Sequence, residues 1–156
     1  MYMTDEKIIK IKELASDFFT KAGIINFEIN VAETVNIERL RVSLSTQDAS
    51  FYIGEKGRNI GAFEAILRLM MKKQLGELPQ FYLDINNYRN LRENSLKELA
   101  KKSAHRVRIY KKPVALEAMS AYDRRIIHTE LAACPDIKTE SAGEGEQRRV
   151  VVKYVD

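Results

Sequence analysis

Phe51-Tyr52-Ile53-Gly54-Glu55-Lys56-Gly57-Arg58 is the stretch that decides how this chain folds: two glycines three apart stand immediately before an apolar helical pattern. Glycine at both ends lets the backbone approach a ligand with no Cβ in the way. The helix that follows presents N–H donors and the positive end of its dipole to the loop, a setting suited to phosphate. A Gly-x-x-Gly spacing also occurs in ordinary strand-to-helix turns, so its neighbours decide what it means.

Downstream, Ile60, Phe63, Ile66, Leu67, Met70 and Met71 recur in steps of three and four until Gly76 and Pro79 end the helix. The methionine pair reads as core filler. Upstream stand two alternating runs. Phe27, Ile29 and Val31 oppose Glu28 and Asn30, and Leu40, Val42 and Leu44 oppose Arg39, Arg41 and Ser43. They read as strands with one buried face, joined through the polar residues 33–36. Before them, residues 5–22 place Ile8, Ile11, Leu14 or Ala15, and Phe18 or Phe19 at helical spacing, with Thr4 as N-cap and Gly23 as the stop. After the glycine loop and its helix, Phe81, Leu83 and Ile85 alternate with Tyr82 and Asp84. Helix, strand, strand, loop, helix, strand over residues 1–86 predicts a helix-on-sheet unit.

Residues 87–112 form one long charged helix, with Tyr88, Leu91, Leu96, Leu99, Ala100, Val107 and Tyr110 as its apolar stripe and Pro113 closing it. Val114-Ala115-Leu116 is extended. Ser120 is an N-cap with Asp123 three residues on, the spacing of a capping box. In the helix it opens, Tyr122 with Ile126 and Ile127 with Leu131 make the buried pairs. Arg124, Arg125 and His128 share an adjoining face. Like charges stacked this way cost about a few tenths of a kcal/mol each unless an anion accepts them, which points to phosphate; Asp123 and Glu130 offer internal compensation instead. Residues 137–141, an acidic turn with Gly143 and Gly145, and residues 149–155 read as a β-hairpin with Val150, Val152 and Tyr154 on one face. The fold class is α+β: a first domain over 1–86 and, over 87–156, a long connecting helix with a small α/β unit ending in a hairpin.

Charged residues are 31% and hydrophobic ones 45% of 156, a globular composition. Cys134, the single cysteine, excludes an intramolecular disulfide and fits a reducing compartment. No apolar run approaches the roughly 18 residues that cross a bilayer, and Met-Tyr-Met-Thr-Asp-Glu lacks the build of a signal peptide. The expectation is a cytoplasmic protein with no stable membrane insertion. Residues 1–86 hold 11 Lys/Arg against 12 Asp/Glu, and residues 87–156 hold 15 against 10. That basic second half suits a polyanionic partner, or is a solvated helix face. The sequence has no Cys/His cluster with zinc spacing, no nucleophile elbow and no Gly-x-x-x-x-Gly-Lys-Ser/Thr loop. Glu130 or Asp123 beside His128 is the one arrangement that metal-assisted or proton-transfer chemistry could use; helix capping and charge balance explain the same residues. The expectation is a protein without catalytic residues, metal or cofactor.

The Gly54-Glu55-Lys56-Gly57 loop in its helix-strand-strand-helix-strand setting resembles a KH domain. Arg124-x-x-x-His128 after Leu116-Glu117-Ala118-Met119 resembles the R-three-H domain, named for its Arg-x-x-x-His motif. Their order, with Asp84-Ile85-Asn86-Asn87-Tyr88-Arg89 between them and Arg148-Arg149-Val150-Val151-Val152 near the end, is similar to the bacterial Jag (SpoIIIJ-associated) family over nearly the whole chain. The resemblance implies a non-catalytic protein that binds single-stranded RNA, with single-stranded DNA as a related ligand, in post-transcriptional regulation. It assigns the RNA backbone to Gly54, Lys56 and Gly57, with Glu55 in the same loop and Arg58 in support, and the base groove to Ile53 and Ile60. It assigns a second phosphate or nucleotide contact to Arg124 and His128, with Arg125 helping. Further partners it implies are a small single-KH protein or a second copy of the chain. Its alternative function is that of a protein adaptor linked to membrane-protein insertion or cell-envelope growth and division. Glu55 stands where relatives often carry a basic residue, which implies a weaker clamp. Only one helix precedes the first strand, so the separate N-terminal domain of many relatives is expected to be missing.

Overall fold

The alternation at 27–33 and 40–46 becomes a pair of antiparallel strands in the computed structural model, which describes residues 4–34, 39–76 and 79–156. Part of the expected polar link at 33–36, and the first three residues of the N-terminal run, lie outside the described residues. The chain divides into two units, one up to Arg89 and the other Asn90–Asp156.

In the first unit β1 (Phe27–Glu33) and β2 (Leu40–Thr46) pair from Phe27↔Thr46 to Glu33↔Leu40. On the other side of β2 lies β3 (Phe81–Ile85), parallel to it, from Leu40↔Phe81 to Leu44↔Ile85. A parallel neighbour needs a long crossover, supplied here by α2 (Ala49–Ile53) and α3 (Arg58–Leu75). Leu40, Val42, Leu44, Phe81, Leu83 and Ile85 are buried, so strand alternation has sorted them onto one face. Ile11, Ala15 and Phe19 of α1 (Asp5–Lys21), with Leu67 and Met71 of α3, pack into the same core. Ile66, expected on the buried stripe of α3, is 48% exposed. Ile60, Leu67 and Met71 already fill the line at i, i+7 and i+11, and Ile66 falls beside it.

α4 (Tyr88–Tyr110) starts after two asparagines in the left-handed region, Asn86 (φ 49) and Asn87 (φ 58). Its stripe is narrower than expected. Leu96, Ala100, Ser103, Ala104 and Val107 are buried, whereas Leu91 and Tyr110 are 59% and 66% exposed. Small residues on this face let the second sheet come close, and Ser103 satisfies its hydroxyl by donating to Leu99 O at 2.7 Å. The helix ends with Lys111 at φ 51, its N–H bonded to Val107 O. The second sheet has the order β4-β6-β5, made of β4 (Val114–Ala118), β5 (Ile137–Ala142) and β6 (Arg149–Tyr154), with antiparallel neighbours throughout. β6 is central, so Val150 and Val152 have no exposure at all, while Tyr154 near its end is only half-buried. α5 (Ala121–Leu131) adds Ile127 and Leu131 to this core. Tyr122, expected to pair with Ile126 in the interior, is 54% exposed. The inward position belongs to Asp123, because the capped first turn directs that residue towards α4.

Candidate nucleic-acid interface

The glycine loop runs into a helix, as its sequence suggested, and a short helix that the sequence did not suggest precedes it. α2 ends as the Gly54 N–H bonds back to Ser50 O, and Glu55–Gly57 form one 3₁₀ turn before α3. Three of its four residues have positive φ: Gly54 at 71°, Lys56 at 53° and Gly57 at 81°. Glycine adopts this conformation without strain at two of the three positions, and Lys56 adopts it as a non-glycine residue. Each glycine is also crowded: a Cβ at Gly54 would lie 2.6 Å from Asn59 Cγ, and one at Gly57 would lie 2.8 Å from Tyr88 Cε1. Asn59 donates through Nδ2 to Phe51 O at 2.7 Å, tying α2 to the start of α3 across the loop.

Glu55, Lys56 and Arg58 are exposed, and Phe51 in α2 is 73% exposed and edge-on to Tyr52. The Gly57 and Arg58 N–H groups are turned back onto the loop, to Gly54 O and Glu55 O. These two N–H groups are therefore not the outward donors expected from sequence. Ile53 is half-buried at the loop's edge. Ile60 is 3% exposed and packs in the core, which leaves it no side-chain surface for a base.

In the second unit, Ser120 accepts a hydrogen bond from the Asp123 N–H at 3.1 Å, as the capping-box spacing requires. The Asp123 carboxylate does not reach back to the cap. It is buried and pairs with Arg92 Nη2 at 2.8 Å. Arg124 turns along the helix start and donates through Nη1 to Met119 O at 2.8 Å. His128 reaches β5, where Nδ1 lies 2.7 Å from Thr139 Oγ1 and Nε2 lies 2.9 Å from Ser141 Oγ. One ring nitrogen donates and the other accepts, whichever tautomer is present. Burial, and then the neighbouring Arg124 guanidinium, hold His128 below its ordinary pKa.

The three residues expected to form one cationic face therefore divide. His128 favours the neutral form and faces two hydroxyls, Arg124 is anchored by one of its nitrogens, and Arg125 is exposed, with no hydrogen bond or ion pair among the described residues. The carboxylates beside them are engaged elsewhere: Asp123 with Arg92 and Glu130 with Lys101 at 3.6 Å. Nothing in the sequence reading singles out Thr139 and Ser141. Their alternation with the exposed Lys138 and Glu140 places them on the same face of β5 as the buried Ile137, and that is the signal that finds them.

Comparison with known proteins adds two findings. The family model for the R-three-H domain matches residues 94–154. The RNA-binding protein KhpB of Clostridium symbiosum is 32% identical over 147 residues, which are 94% of this chain and 64% of that protein. The protein of the same name from Bacillus subtilis is 32% identical over 151 residues, 96% of this chain and 73% of that protein. A third, from Lactiplantibacillus plantarum, is 32% identical over 111 residues, 71% of this chain and 34% of that protein.

Proposed function

We propose that this chain, which belongs to the KhpB family, binds single-stranded RNA without catalysis, using the Gly54–Gly57 loop of a KH-like module and the Arg124–Arg125 surface of the R-three-H module. The KH-like module is assigned to residues 1–86 and the R-three-H module to residues 87–156, with the long helix in the second. The cytoplasm is its place of action, in keeping with a single cysteine. The observation that carries the proposal is the loop. A short exposed loop with three positive-φ residues, held in shape by Asn59 and Tyr88 packed against its glycines and carrying the exposed Lys56, suits a clamp for a nucleic-acid backbone. Exposed Phe51 at its flank offers a ring on which a base can stack. In the R-three-H module Arg125 supplies the outward charge and Arg124 adds the donors that its bond to Met119 leaves over.

Titrating the whole chain into a fluorescein-labelled pool of single-stranded RNA, with anisotropy as the readout, tests this. Affinity is expected to fall with salt, with a log–log slope of about 0.7 for each phosphate neutralised. Changing Glu55→Asp and Lys56→Asp together is expected to weaken binding and to flatten the slope by about one such contact. Absence of binding at low salt overturns the function; undiminished binding by the double variant moves the site away from the loop.

A further inference from the structure

The segment Asp84-Ile85-Asn86-Asn87-Tyr88-Arg89 lies outside the sites described so far, yet it is tied down on nearly every side. Asn86 reads the backbone of Thr46 as a strand would: Oδ1 accepts from Thr46 N–H at 2.9 Å and Nδ2 donates to Thr46 O at 2.7 Å. Its own N–H bonds Leu44 O at 2.9 Å. Asp84, 2% exposed, pairs with Arg41 and accepts the Arg89 N–H at 3.3 Å. The Arg89 side chain donates to Leu83 O at 3.2 Å and to Glu64 at 3.1 Å, and Glu64 in turn accepts the Leu83 N–H at 3.0 Å. The residues on both sides of Tyr88 are thus held to β2, β3 and α3.

What this scaffold presents is one ring. Tyr88 covers the Cα of Gly57 so closely that a Cβ there would meet Cε1 at 2.8 Å and Cζ and Oη at 3.5 Å. Gly57 sits at φ 81, a conformation that an unbraced glycine leaves freely, since it has the widest backbone freedom of any residue. A wall against its Cα removes part of that freedom before a ligand arrives. Ordering done in the free protein does not have to be done on binding, and affinity rises accordingly.

We infer that Tyr88 is a positioning residue for the Gly54–Gly57 loop: its ring, fixed by the Asp84–Arg89 bonds, holds the loop backbone in the shape that receives the RNA backbone. This rests on the loop's proposed role in RNA binding, and the experiment separates the two. In the whole chain, Tyr88→Ala is expected to lower affinity for the labelled single-stranded RNA about three- to tenfold, the range for ordering a short segment on binding. Tyr88→Phe, which keeps the ring, is expected to bind as the unaltered chain does. In the free Tyr88→Ala protein, backbone ¹⁵N relaxation is expected to show greater motion at Lys56 and Gly57 while β2 and β3 amides stay rigid, and the salt slope is expected to stay as it was, because the ring touches no phosphate.

Undiminished binding by Tyr88→Ala, alongside weakened binding by the Glu55/Lys56 double variant, overturns the positioning role and leaves the loop's function standing. Weakened binding with unaltered loop relaxation also overturns it, since the ring would then touch RNA directly. Undiminished binding by both variants overturns the loop's function and the inference with it. Where Tyr88→Ala loses the fold of the first unit, Tyr88→Leu takes its place, filling the volume without a flat ring; unaltered affinity and loop relaxation with leucine overturn the inference.

Discussion

His128 is set by its neighbours on β5 as well as by its motif. The Arg-x-x-x-His motif marks the residue, but its ring faces Thr139 and Ser141, whose hydroxyls occupy both nitrogens. Because burial and Arg124 lower its pKa in the folded chain, the unfolded chain takes up the proton more readily. His128 therefore contributes stability that is present above the unfolded pKa and is lost as pH falls through the lower folded value. An NMR titration of the His128 ring is expected to give a midpoint below the ordinary value of about 6.5. Chemical denaturation of His128→Ala is expected to show a loss of about 1–3 kcal/mol in the second unit near neutral pH, because two partly buried hydroxyls lose their partner. An ordinary or raised midpoint would return His128 to the role of a phosphate-binding cation. The sequence could not show this, since the deciding neighbours lie 11 and 13 residues away on a strand.

At the scale of elements, legibility followed period and local chemistry. The strands at 27–33, 40–46 and 81–85 could be read because alternation has a period of two and their buried faces coincide with it. The start of α5 could be read because capping is written within four residues: Ser120 accepts the Asp123 N–H. Ser120→Ala is expected to cost about 1 kcal/mol, measured by denaturant titration, with Ser120→Asp restoring most of it. No loss on Ser120→Ala would mean that packing alone sets the helix start. α2 was not legible, since five residues carry too few turns for a helical period to appear. The outward turn of Leu91, Tyr110 and Tyr122 was hidden for a different reason. Apolar character was read as burial, whereas Ala100, Ser103, Ala104 and Asp123 took the inward places through close packing and an ion pair. The bond network of Asp84, Asn86 and Arg89 was visible only as a run of polar residues, because its partners Arg41, Thr46 and Glu64 lie far from it along the chain.

At the scale of the whole molecule, the described core residues form two clusters, one around Phe19, Leu44 and Leu83 and one around Val107, Ile127 and Val150. Phe19 has no exposure and touches Phe18, Phe27 and Phe63 ring to ring. Phe19→Ala is expected to cost the first unit about 3–5 kcal/mol. Amide hydrogen exchange is expected to show faster opening throughout β1, β2 and β3 with little effect on β5 and β6; equal loss in both units would mean that they unfold as one. The parallel pairing of β2 with β3 also has a consequence in time. As the chain leaves the ribosome, β1 and β2 can meet early as neighbours, but the central strand waits for residues 81–85 to gain its second partner. Residues 54–57 are synthesised before that partner exists and more than 30 residues before Tyr88. The glycine loop is thus made before the ring that lies against Gly57, so a nascent chain stalled before residue 88 would carry the motif without that wall.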